Sequence, residues 1–368
     1  MIEENKVMNG MRVQIVSDDQ ELLQLAPAWN DLFARADAPL VTQSFEWIWC
    51  VRKHLLPNAR LRCIFLWKED RLVLVWPAVI LRHHRFWSAE VPLATPGDYI
   101  DFLVEKSPES DMFARTAWQH LNQKTDLTVI GRVRVSSLLH QIITEQGQPS
   151  VERLPARYLS WERYPDWGAY YKNLPGRKSI AARQRKLLER GSLAFEVVGD
   201  CKRVQELSEW MFQHKKVWLA AKGGRSDWLG SKSYEKFLFS LPVELKRWRS
   251  VTAFALTIDG KVIAVQICLV GMSRLIRLHD AYDQEFRAFA PQNGLTVRVM
   301  EWACERQLAV DFCFGADPYK EDFLPENRPV DYYRIVNSAF GKLHETCMAT
   351  KNGRVGAMLR HALHHIQG

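Results

Sequence analysis

The pattern that most restricts the fold lies in Leu275–Phe323, where the periodicity of apolar residues changes several times. Leu275–Ala281 alternates apolar and polar side chains, which predicts a half-buried strand. Ala290–Gly294 interrupts this pattern with Pro and Asn-Gly, and helical spacing begins at Leu295. Strand character returns at Ala309–Phe314. The sequence therefore predicts a strand, a turn-rich loop, a helix and a second strand, in this order.

A loop that opens a helix presents free backbone N–H groups, and these suit an anion, phosphate in particular. Here the loop precedes Leu295, and titratable side chains lie on both flanking strands and just beyond them. These side chains are His279, Asp280, Asp311, Asp317 and Tyr319. The stretch therefore predicts proton-transfer groups beside a phosphate-binding loop.

Three short segments carry a resemblance to a known family. They are Tyr282-Asp283, Ala290–Gly294 and Asp311–Lys320, the last reading DFCFGADPYK. With them, the second half of the chain resembles the cofactor-binding half of the GNAT acyltransferase superfamily. More narrowly, it resembles the CelD-type branch described as acetyltransferases of polysaccharide biosynthesis, relatives of the FemABX aminoacyl transferases. The loop departs from the family pattern because Gln292 and Asn293 stand between Pro and Gly.

The resemblance implies a mixed α/β fold built from tandem GNAT-like halves, each a mixed, mostly antiparallel sheet flanked by helices. Residues 1–150 would form an N-terminal half, which offers only Thr95–Tyr99 in place of a helix-opening phosphate loop. Residues 151–368 would form a C-terminal half with the acyl-CoA site and a basic C-terminal helix. Cofactor binding is therefore assigned to the C-terminal half.

An internal match supports two related halves. Phe254–Gln266 aligns with Phe65–Pro77, and this alignment places Asp259 opposite Asp70 at the tip of a predicted hairpin. The match predicts that the two halves share a hairpin.

Acyl transfer from a thioester to an amine requires a polarised carbonyl, a base for the amine and an acid for the departing thiolate. The resemblance implies that the pantetheine arm lies between two splayed parallel strands, here Leu275–Ala281 and Val310–Phe314. His279 is the first candidate for the base because imidazole titrates near neutrality, and Asp280 is the alternative. Alternation places these neighbours on opposite faces, so only one should face the cleft. A hydrogen-bonded core histidine is the competing interpretation of His279.

The remaining site residues are assigned through the same resemblance. Asp311 or Asp317 would orient the base, and Tyr319 would protonate the thiolate. Cofactor binding would use the loop, the first helical turn and one lysine: Gln292, Asn293, Gly294, Leu295, Thr296 and Lys320.

A basic segment, Lys172–Arg190, lies between the halves and holds seven basic residues against one acidic residue. Arg177, Arg183 and Lys186 would contact phosphates of CoA or an anionic acceptor, and a solvated helix face is the alternative. Aromatic residues are not interleaved within the segment, so no stable nucleic-acid partner is expected. Lys222–Arg225 lacks the spacing of a Walker loop, so ATP is not implied.

Composition bears on location and metal content. The longest apolar run, Leu72–Leu81, has about half the length of a membrane span, and the N-terminus lacks a signal pattern. Seven cysteines without a C-x-x-C pair favour a reduced, cytoplasmic protein. The formal charge of +8 and fourteen tryptophans are compatible with peripheral contact at the inner face of the membrane. No metal is expected, because the histidines of Val355–Ile366 fit a surface helix better than a metal site.

The predicted function is acyl-CoA-dependent N-acyltransfer to an amine of the amino-sugar, polysaccharide-precursor or lipid-like type, with acyl-CoA as co-substrate and no metal. Two alternatives stay open. One is FemABX-like transfer from aminoacyl-tRNA, although the sequence lacks the long helical hairpin expected of such enzymes. The other is a non-catalytic GNAT-like component of surface-polysaccharide assembly, which the altered loop at Gln292 and Asn293 permits.

Overall fold

The computed structural model describes residues 6–8, 10–83, 87–95, 98–121, 125–221, 223, 227–248, 250–315 and 317–350. Within these residues the chain forms two compact units. The second unit is Pro155–Asn327, and the first contains the described residues on both sides of it. Both units contain sheets flanked by helices, which confirms the predicted mixed α/β class.

The part of the first unit that precedes Pro155 alternates short strands with helices. Its strands are β1 (Lys6–Met8), β2 (Met11–Val16), β3 (Arg60–Leu61), β4 (Cys63–Lys68), β5 (Arg71–Trp76), β6 (Ala78–His83), β7 (Trp87–Pro92), β8 (Leu103–Val104), β9 (Leu127–Arg134) and β10 (Glu152–Leu154). Its helices are α1 (Asp19–Gln24), α2 (Ala26–Arg35), α3 (Phe45–His54), α4 (Ser110–Leu121) and α5 (Leu138–Glu145).

The second unit has longer strands. They are β11 (Ala156–Leu159), β12 (Leu193–Val198), β13 (Val251–Ile258), β14 (Lys261–Val270), β15 (Arg274–Tyr282), β16 (Ala309–Phe314) and β17 (Glu326–Asn327). The helices are α6 (Trp167–Asn173), α7 (Arg177–Leu188), α8 (Cys201–Ala221), α9 (Asp227–Gly230), α10 (Lys232–Glu244) and α11 (Pro291–Glu305). After this unit the chain forms β18 (Val330–Val336) and α12 (Ala339–Thr350).

Serine side chains start several of these helices by accepting a backbone N–H that has no partner within the helix. Ser44 accepts from Trp47 at the start of α3, and Ser137 accepts from His140 at the start of α5. Ser231 accepts from Tyr234 and so fixes the first turn of α10.

Two of the three sheets in the described residues combine one parallel strand pair with antiparallel neighbours, and the third is antiparallel. The first unit has sheets in the orders β1-β2-β4-β5-β8 and β10-β18-β9-β7-β6-β3, and the second has the order β12-β13-β14-β15-β16-β11-β17. The parallel pairs are β7 with β9 and β15 with β16. In the core of the second unit, α11 packs on the β15–β16 pair. Buried residues of α11, including Leu295, Val299 and Met300, cluster there with Leu275 of β15 and Val310 of β16.

The two units share a hairpin with the same irregularity. In β4–β5 the register shifts after Leu66, and in β13–β14 it shifts after Leu256. Both tips begin with a residue in the left-handed region, Glu69 at φ 55° and Asp259 at φ 48°. When the two hairpins are aligned by these features, Asp259 is equivalent to Glu69. The sequence alignment predicted Asp70, one residue later. The structural alignment of the hairpins follows the shared bulge and the left-handed tip residues. The sequence alignment differs by one residue because it matched residue types.

Val330–Val336 differs from the predicted division of the chain at residues 150 and 151. β18 pairs antiparallel with β9 and β10, so this strand belongs to a sheet of the first unit. Its Asp331, 1% exposed, accepts two hydrogen bonds from the Arg153 guanidinium and lies 3.1 Å from Nε2 of His140. A buried carboxylate with these partners fixes the strand to β10 and α5.

In the first unit, a returning segment of the chain fills the gap that opens beyond the parallel pairing of β7 with β9. β7 and β9 pair only at Ala89 with Leu127 and at Glu90 with Thr128. Farther along, Ile100 returns to form a parallel bridge with Val133 and donates its N–H to Arg132. Of the predicted Thr95–Tyr99 turn, residues 96 and 97 lie outside the described residues.

We predict that replacing Asp331 with Asn destabilises the protein by about 1–3 kcal/mol at neutral pH, because the Arg153 guanidinium loses its charged acceptor. Arg153 and His140 hold the pKa of Asp331 below its usual range although burial opposes this. This contribution to stability is present above the unfolded carboxyl pKa, about 4, and is lost as pH falls through the lower folded pKa. Urea unfolding at neutral and acidic pH measures both effects.

The control is Asp111→Asn, which removes a carboxylate that is exposed and paired with Arg115 on α4. It should change stability by less than about 0.5 kcal/mol. Equal effects of the two substitutions would contradict the assigned role of Asp331.

Candidate functional site

The parallel pair of the second unit opens after a short stretch of pairing. β15 pairs with β16 only at Arg274 with Ala309, Leu275 with Val310 and Ile276 with Asp311. Beyond these residues β15 remains paired with β14 as far as Tyr282, and β16 remains paired with β11 as far as Phe314. The two strands therefore separate, as the resemblance implied, and we call the gap that follows Ile276 and Asp311 the opening.

A bulge in β15 sets which side chains flank the opening. Cys268 of β14 pairs with Arg277 and Ile267 pairs with His279, so Leu278 is skipped. Arg277 and Asp280 then lie close together, with Arg277 Nη2 at 2.7 Å from Asp280 Oδ2.

Lys215 of α8 completes a charged cluster with Arg277 and Asp280. Its Nζ lies 3.0 Å from the backbone oxygen of Asp280 and 3.3 Å from Oδ1 of the same residue. Although burial favours the protonated acid, Lys215 and Arg277 hold the pKa of Asp280 below its usual range. Two cations facing one carboxylate leave one excess positive charge, so the cluster can stabilise an additional anion.

His279 has a separate set of partners. Its Nε2 lies 2.7 Å from the Tyr234 hydroxyl, and its ring stacks on Trp228 with centroids 4.6 Å apart. Burial, reinforced by the charge of Lys215, lowers the pKa of His279 to about 3. The imidazole is therefore neutral at physiological pH and is a weaker base than an exposed histidine.

The 3₁₀ segment Pro318–Phe323 carries Tyr319 and Lys320 after the end of β16. The Tyr319 ring lies 5.8 Å from the Arg277 guanidinium carbon, and partial burial raises the pKa of Tyr319 to about 12. Tyr319 therefore keeps its proton at neutral pH. Lys320 is buried, and its Nζ contacts the Phe314 carbonyl at 2.9 Å and the Asp317 carboxylate at 3.0 Å. In this arrangement Lys320 holds the turn together, which differs from its predicted role in phosphate binding.

Asp311 is not adjacent to His279 in the hydrogen-bond network. Its Oδ1 accepts the N–H of Cys313 at 2.9 Å, and its Oδ2 lies 3.6 Å from Arg274. Cys313 has a left-handed backbone, φ 60°, and its sulfur lies 3.5 Å from the Arg277 carbonyl oxygen. The structure thus gives Asp311 a part in holding the bend of β16, whereas the sequence suggested that Asp311 or Asp317 orients the base.

The predicted start of the helix at Leu295 is wrong. α11 begins at Pro291, directly after Ala290 in the left-handed conformation at φ 45°. Proline is favoured at the first helical position because its fixed φ suits the helix and its missing N–H would have no partner there. The sequence pattern predicts a loop at this proline, because proline is disfavoured inside a helix.

The earlier start of α11 moves several predicted cofactor contacts into the helix. The N–H groups of Asn293 and Gly294 already bond to the Ala290 carbonyl, and the side chains of Leu295 and Thr296 are buried. Both polar atoms of the Gln292 side chain are buried without a hydrogen-bond partner among the described residues. In this arrangement the N–H groups of Asn293 and Gly294 already serve the helix rather than a phosphate.

α7 covers the same corner. A Cβ added to Gly294 would lie 2.6 Å from Nε2 of Gln184, so glycine allows a close approach of α7 to α11. Arg183 and Lys186 are exposed on α7, and Arg177 donates through Nε to the Lys172 carbonyl. The basic helix is therefore present as predicted, with two of the three named cations directed to solvent.

Sequence reasoning missed Lys215, Trp228, Tyr234 and Arg277. Lys215 and Arg277 contact Asp280, and Trp228 and Tyr234 contact His279. The contacts of Lys215 and Tyr234 span 65 and 45 residues. No short motif contains them. A local signal exists for Tyr234: the Ser231 cap fixes its position in the first turn of α10.

The described residues bear on the metal and membrane predictions. Among the described residues, no group of three or more His, Cys, Asp or Glu side chains is placed to hold a metal ion. Within the same residues, no helix combines the length and apolar character needed to cross a membrane. The histidines of Val355–Ile366 lie outside the described residues, as does most of Lys222–Arg225.

Comparisons with known proteins agree with the GNAT resemblance. Residues 176–321 match the family model of the acetyltransferase (GNAT) domain. A search of curated proteins finds no match.

Solved structures show the same fold at low sequence identity. FemX superposes with a TM-score of 0.62 at 12% identity, covering 86% of this chain and 98% of FemX. The C-terminal domain of a candidate lysylphosphatidylglycerol synthetase from Agrobacterium fabrum gives 0.53 at 14% identity, covering 88% and 96%. A conserved protein of unknown function from Bacteroides thetaiotaomicron gives 0.53 at 10% identity, covering 84% and 97%.

We predict that the His279 imidazole does not titrate between about pH 5 and pH 8, because burial and Lys215 both disfavour its charged form. The ¹³Cε1 shift in histidine-labelled protein, assigned with a His279→Gln variant, measures this. Lys215→Met should raise the pKa of His279, since a neighbouring positive charge is removed. A midpoint near the ordinary value of about 6.5 in the wild type would contradict the described environment.

Proposed function

We propose that this chain, whose residues 176–321 belong to the GNAT acetyltransferase family, is an N-acyltransferase that moves an acyl group from an activated donor to an amine. The observation that carries the proposal is the opening between β15 and β16, where Lys215, Arg277 and Asp280 leave one excess positive charge.

This charge suits the chemistry of acyl transfer. The amine nitrogen attacks the acyl carbon, the carbonyl oxygen becomes negative, and the bond to the leaving group then breaks while the nitrogen loses a proton. Cations already fixed beside the reacting carbonyl stabilise the negative oxygen without rearranging during the reaction. We assign this role to Lys215 and Arg277, which Asp280 holds in place.

Proton transfer would involve the two residues predicted from the sequence. Tyr319 retains its proton at neutral pH and lies beside Arg277, so we assign to it the proton that the leaving group receives. His279 would accept the proton of the amine through Nε2, in place of its contact with Tyr234. Because His279 is a weak base in this environment, the rate would depend more on electrostatic stabilisation than on the base.

The first candidate donor is an acyl-CoA thioester. The family match and the separation of β15 from β16 support it, because the arm of such a donor fits between splayed parallel strands. The predicted diphosphate position beside Gly294 does not fit, since Gln184 covers it and the nearby N–H groups are already bonded. We therefore derive no contact for the diphosphate there.

The second candidate donor is aminoacyl-tRNA, as in the FemABX interpretation. Because Gln184 lies against Gly294, the predicted diphosphate position no longer favours CoA over another donor. The exposed Arg183, Arg185 and Lys186 of α7 would suit a polyanion such as tRNA. Similarity to FemX supports the fold for either donor. The acceptor would be an amine of the amino-sugar, polysaccharide-precursor or lipid-like class, and the enzyme would act in the cytoplasm or at the inner face of the membrane.

The test is a donor panel monitored by mass spectrometry, with acyl-CoAs and charged tRNAs offered together with amines of these classes. Wild-type protein should form an amide from one donor class. If ribonuclease abolishes the product, the donor is aminoacyl-tRNA; if the product persists, it is acyl-CoA. We predict that Lys215→Met lowers kcat/KM about 100-fold because the developing oxyanion loses a fixed cation.

Lys216→Met is the matched control because it removes the same charge from the next position of α8, where Lys216 pairs with Glu235. It should stay within about threefold of wild type, as expected for a surface ion pair. Equal losses in the two variants would refute the role of Lys215. No product from either donor class would favour the non-catalytic alternative.

A further inference from the structure

A second cationic site lies in the first unit, on one face of the sheet formed by β3, β6 and β7. Arg60 pairs with Ile80, and Ile80 pairs with Glu90 on its other side. Arg82 lies two residues beyond Ile80, and successive side chains of a strand alternate between faces, so Arg82 projects from the same face. Arg62 lies two residues beyond Arg60 and contacts Glu90, which places it on this face as well.

These arginines line a cavity of about 70 Å³ together with Ile15, Ser17, Leu61, Ile80 and Ser88. A buried water needs only about 10–15 Å³ on the same measure, so the cavity has room for a small oxyanion. Two carboxylates lie next to the lining residues: Glu90 contacts Arg62, and Asp126 accepts hydrogen bonds from Ser88. The excess charge is still positive, because three guanidinium groups outnumber these two carboxylates.

Arg62 makes the cavity more than an exposed charged surface. Its side chain is 3% exposed, and its Nη1 lies 2.6 Å from the Glu90 carboxylate. The N–H at its Nε is buried and has no partner among the described residues. A buried donor without a partner costs free energy, so an acceptor that reached it would be bound favourably.

Arg60 and Arg82 differ from Arg62 in being exposed, and neither forms an ion pair within the described part of the chain. Two exposed guanidinium groups beside a buried third match the planar, bidentate recognition of phosphate oxygens.

We propose that the cavity lined by Arg60, Arg62 and Arg82 binds a phosphate group. The group would come from a soluble phosphate compound or from the headgroup of an anionic lipid. The site lies wholly within the first unit, so it is independent of the acyltransfer proposed for the second.

The experiment uses the full chain and two probes. Inorganic phosphate binding is measured by ³¹P line broadening, and lipid binding by flotation with vesicles of phosphatidylcholine, with or without phosphatidylglycerol. The variant R60Q/R82Q removes the exposed pair and leaves buried Arg62 and its ion pair intact. We expect it to weaken phosphate binding by about tenfold or more, because charge-assisted hydrogen bonds are lost.

The matched control is R115Q/K106Q, which removes the same total charge from exposed ion pairs elsewhere in the unit. It should bind phosphate within about twofold of wild type, since these residues are outside the cavity. Vesicle binding that needs phosphatidylglycerol, and that R60Q/R82Q abolishes, would identify a lipid source. Phosphate binding without vesicle binding would identify a soluble source. Absence of both in wild type, or equal affinity in R60Q/R82Q, would overturn the proposal.

Discussion

The separation of β15 from β16 is the constraint on which the rest of the second unit depends. Where two paired strands part, their backbone carbonyls lose ladder partners and require others. Side chains supply them here: Lys215 bonds to the Asp280 carbonyl, Cys313 approaches that of Arg277, and Lys320 bonds to that of Phe314. Lys215 and Lys320 are therefore fixed by carbonyls that the separation exposes, whereas the Asp280 carboxylate holds Arg277.

The first unit meets the same constraint differently. Its parallel strands β7 and β9 also part after a short stretch, but Ile100 returns to pair with β9. A backbone segment thus occupies the edge that side chains line in the second unit. Because both units share the bulged hairpin at Leu66 and Leu256, the difference lies in how each gap is closed. This contrast favours acyl transfer in the second unit.

Local pattern was enough to predict several elements of the fold. The hairpins and the strand pair around α11 depend on alternation and turn residues within a few positions. The start of α11 was missed because proline disfavours the interior of a helix but favours its first position. The sequence alone does not decide between these two positions. In the structure, Ala290 adopts the left-handed conformation before the helix, which places Pro291 at the first helical position.

The candidate site was harder to predict than the fold. The sequence singles out His279 and Asp280 as candidates because they lie on a strand whose pattern is clear. Their partners Lys215 and Tyr234 come from helices far away in the chain, and only the folded sheet brings them together. The contact of Lys320 with the Phe314 carbonyl could not be predicted, because that carbonyl becomes available only where β16 ends.

The central claim is that the acyl donor occupies the opening between β15 and β16, and the alkylation rate of Cys313 tests it most directly. Cys313 is half-buried beside the Arg277 carbonyl, and half-buried Cys201 on α8 provides an internal control. Peptide mass spectrometry would follow both thiols with and without a donor that supports turnover. The donor should slow alkylation of Cys313 in a saturable manner and leave Cys201 unchanged. An unchanged Cys313 rate at a saturating donor concentration would show that the donor binds elsewhere.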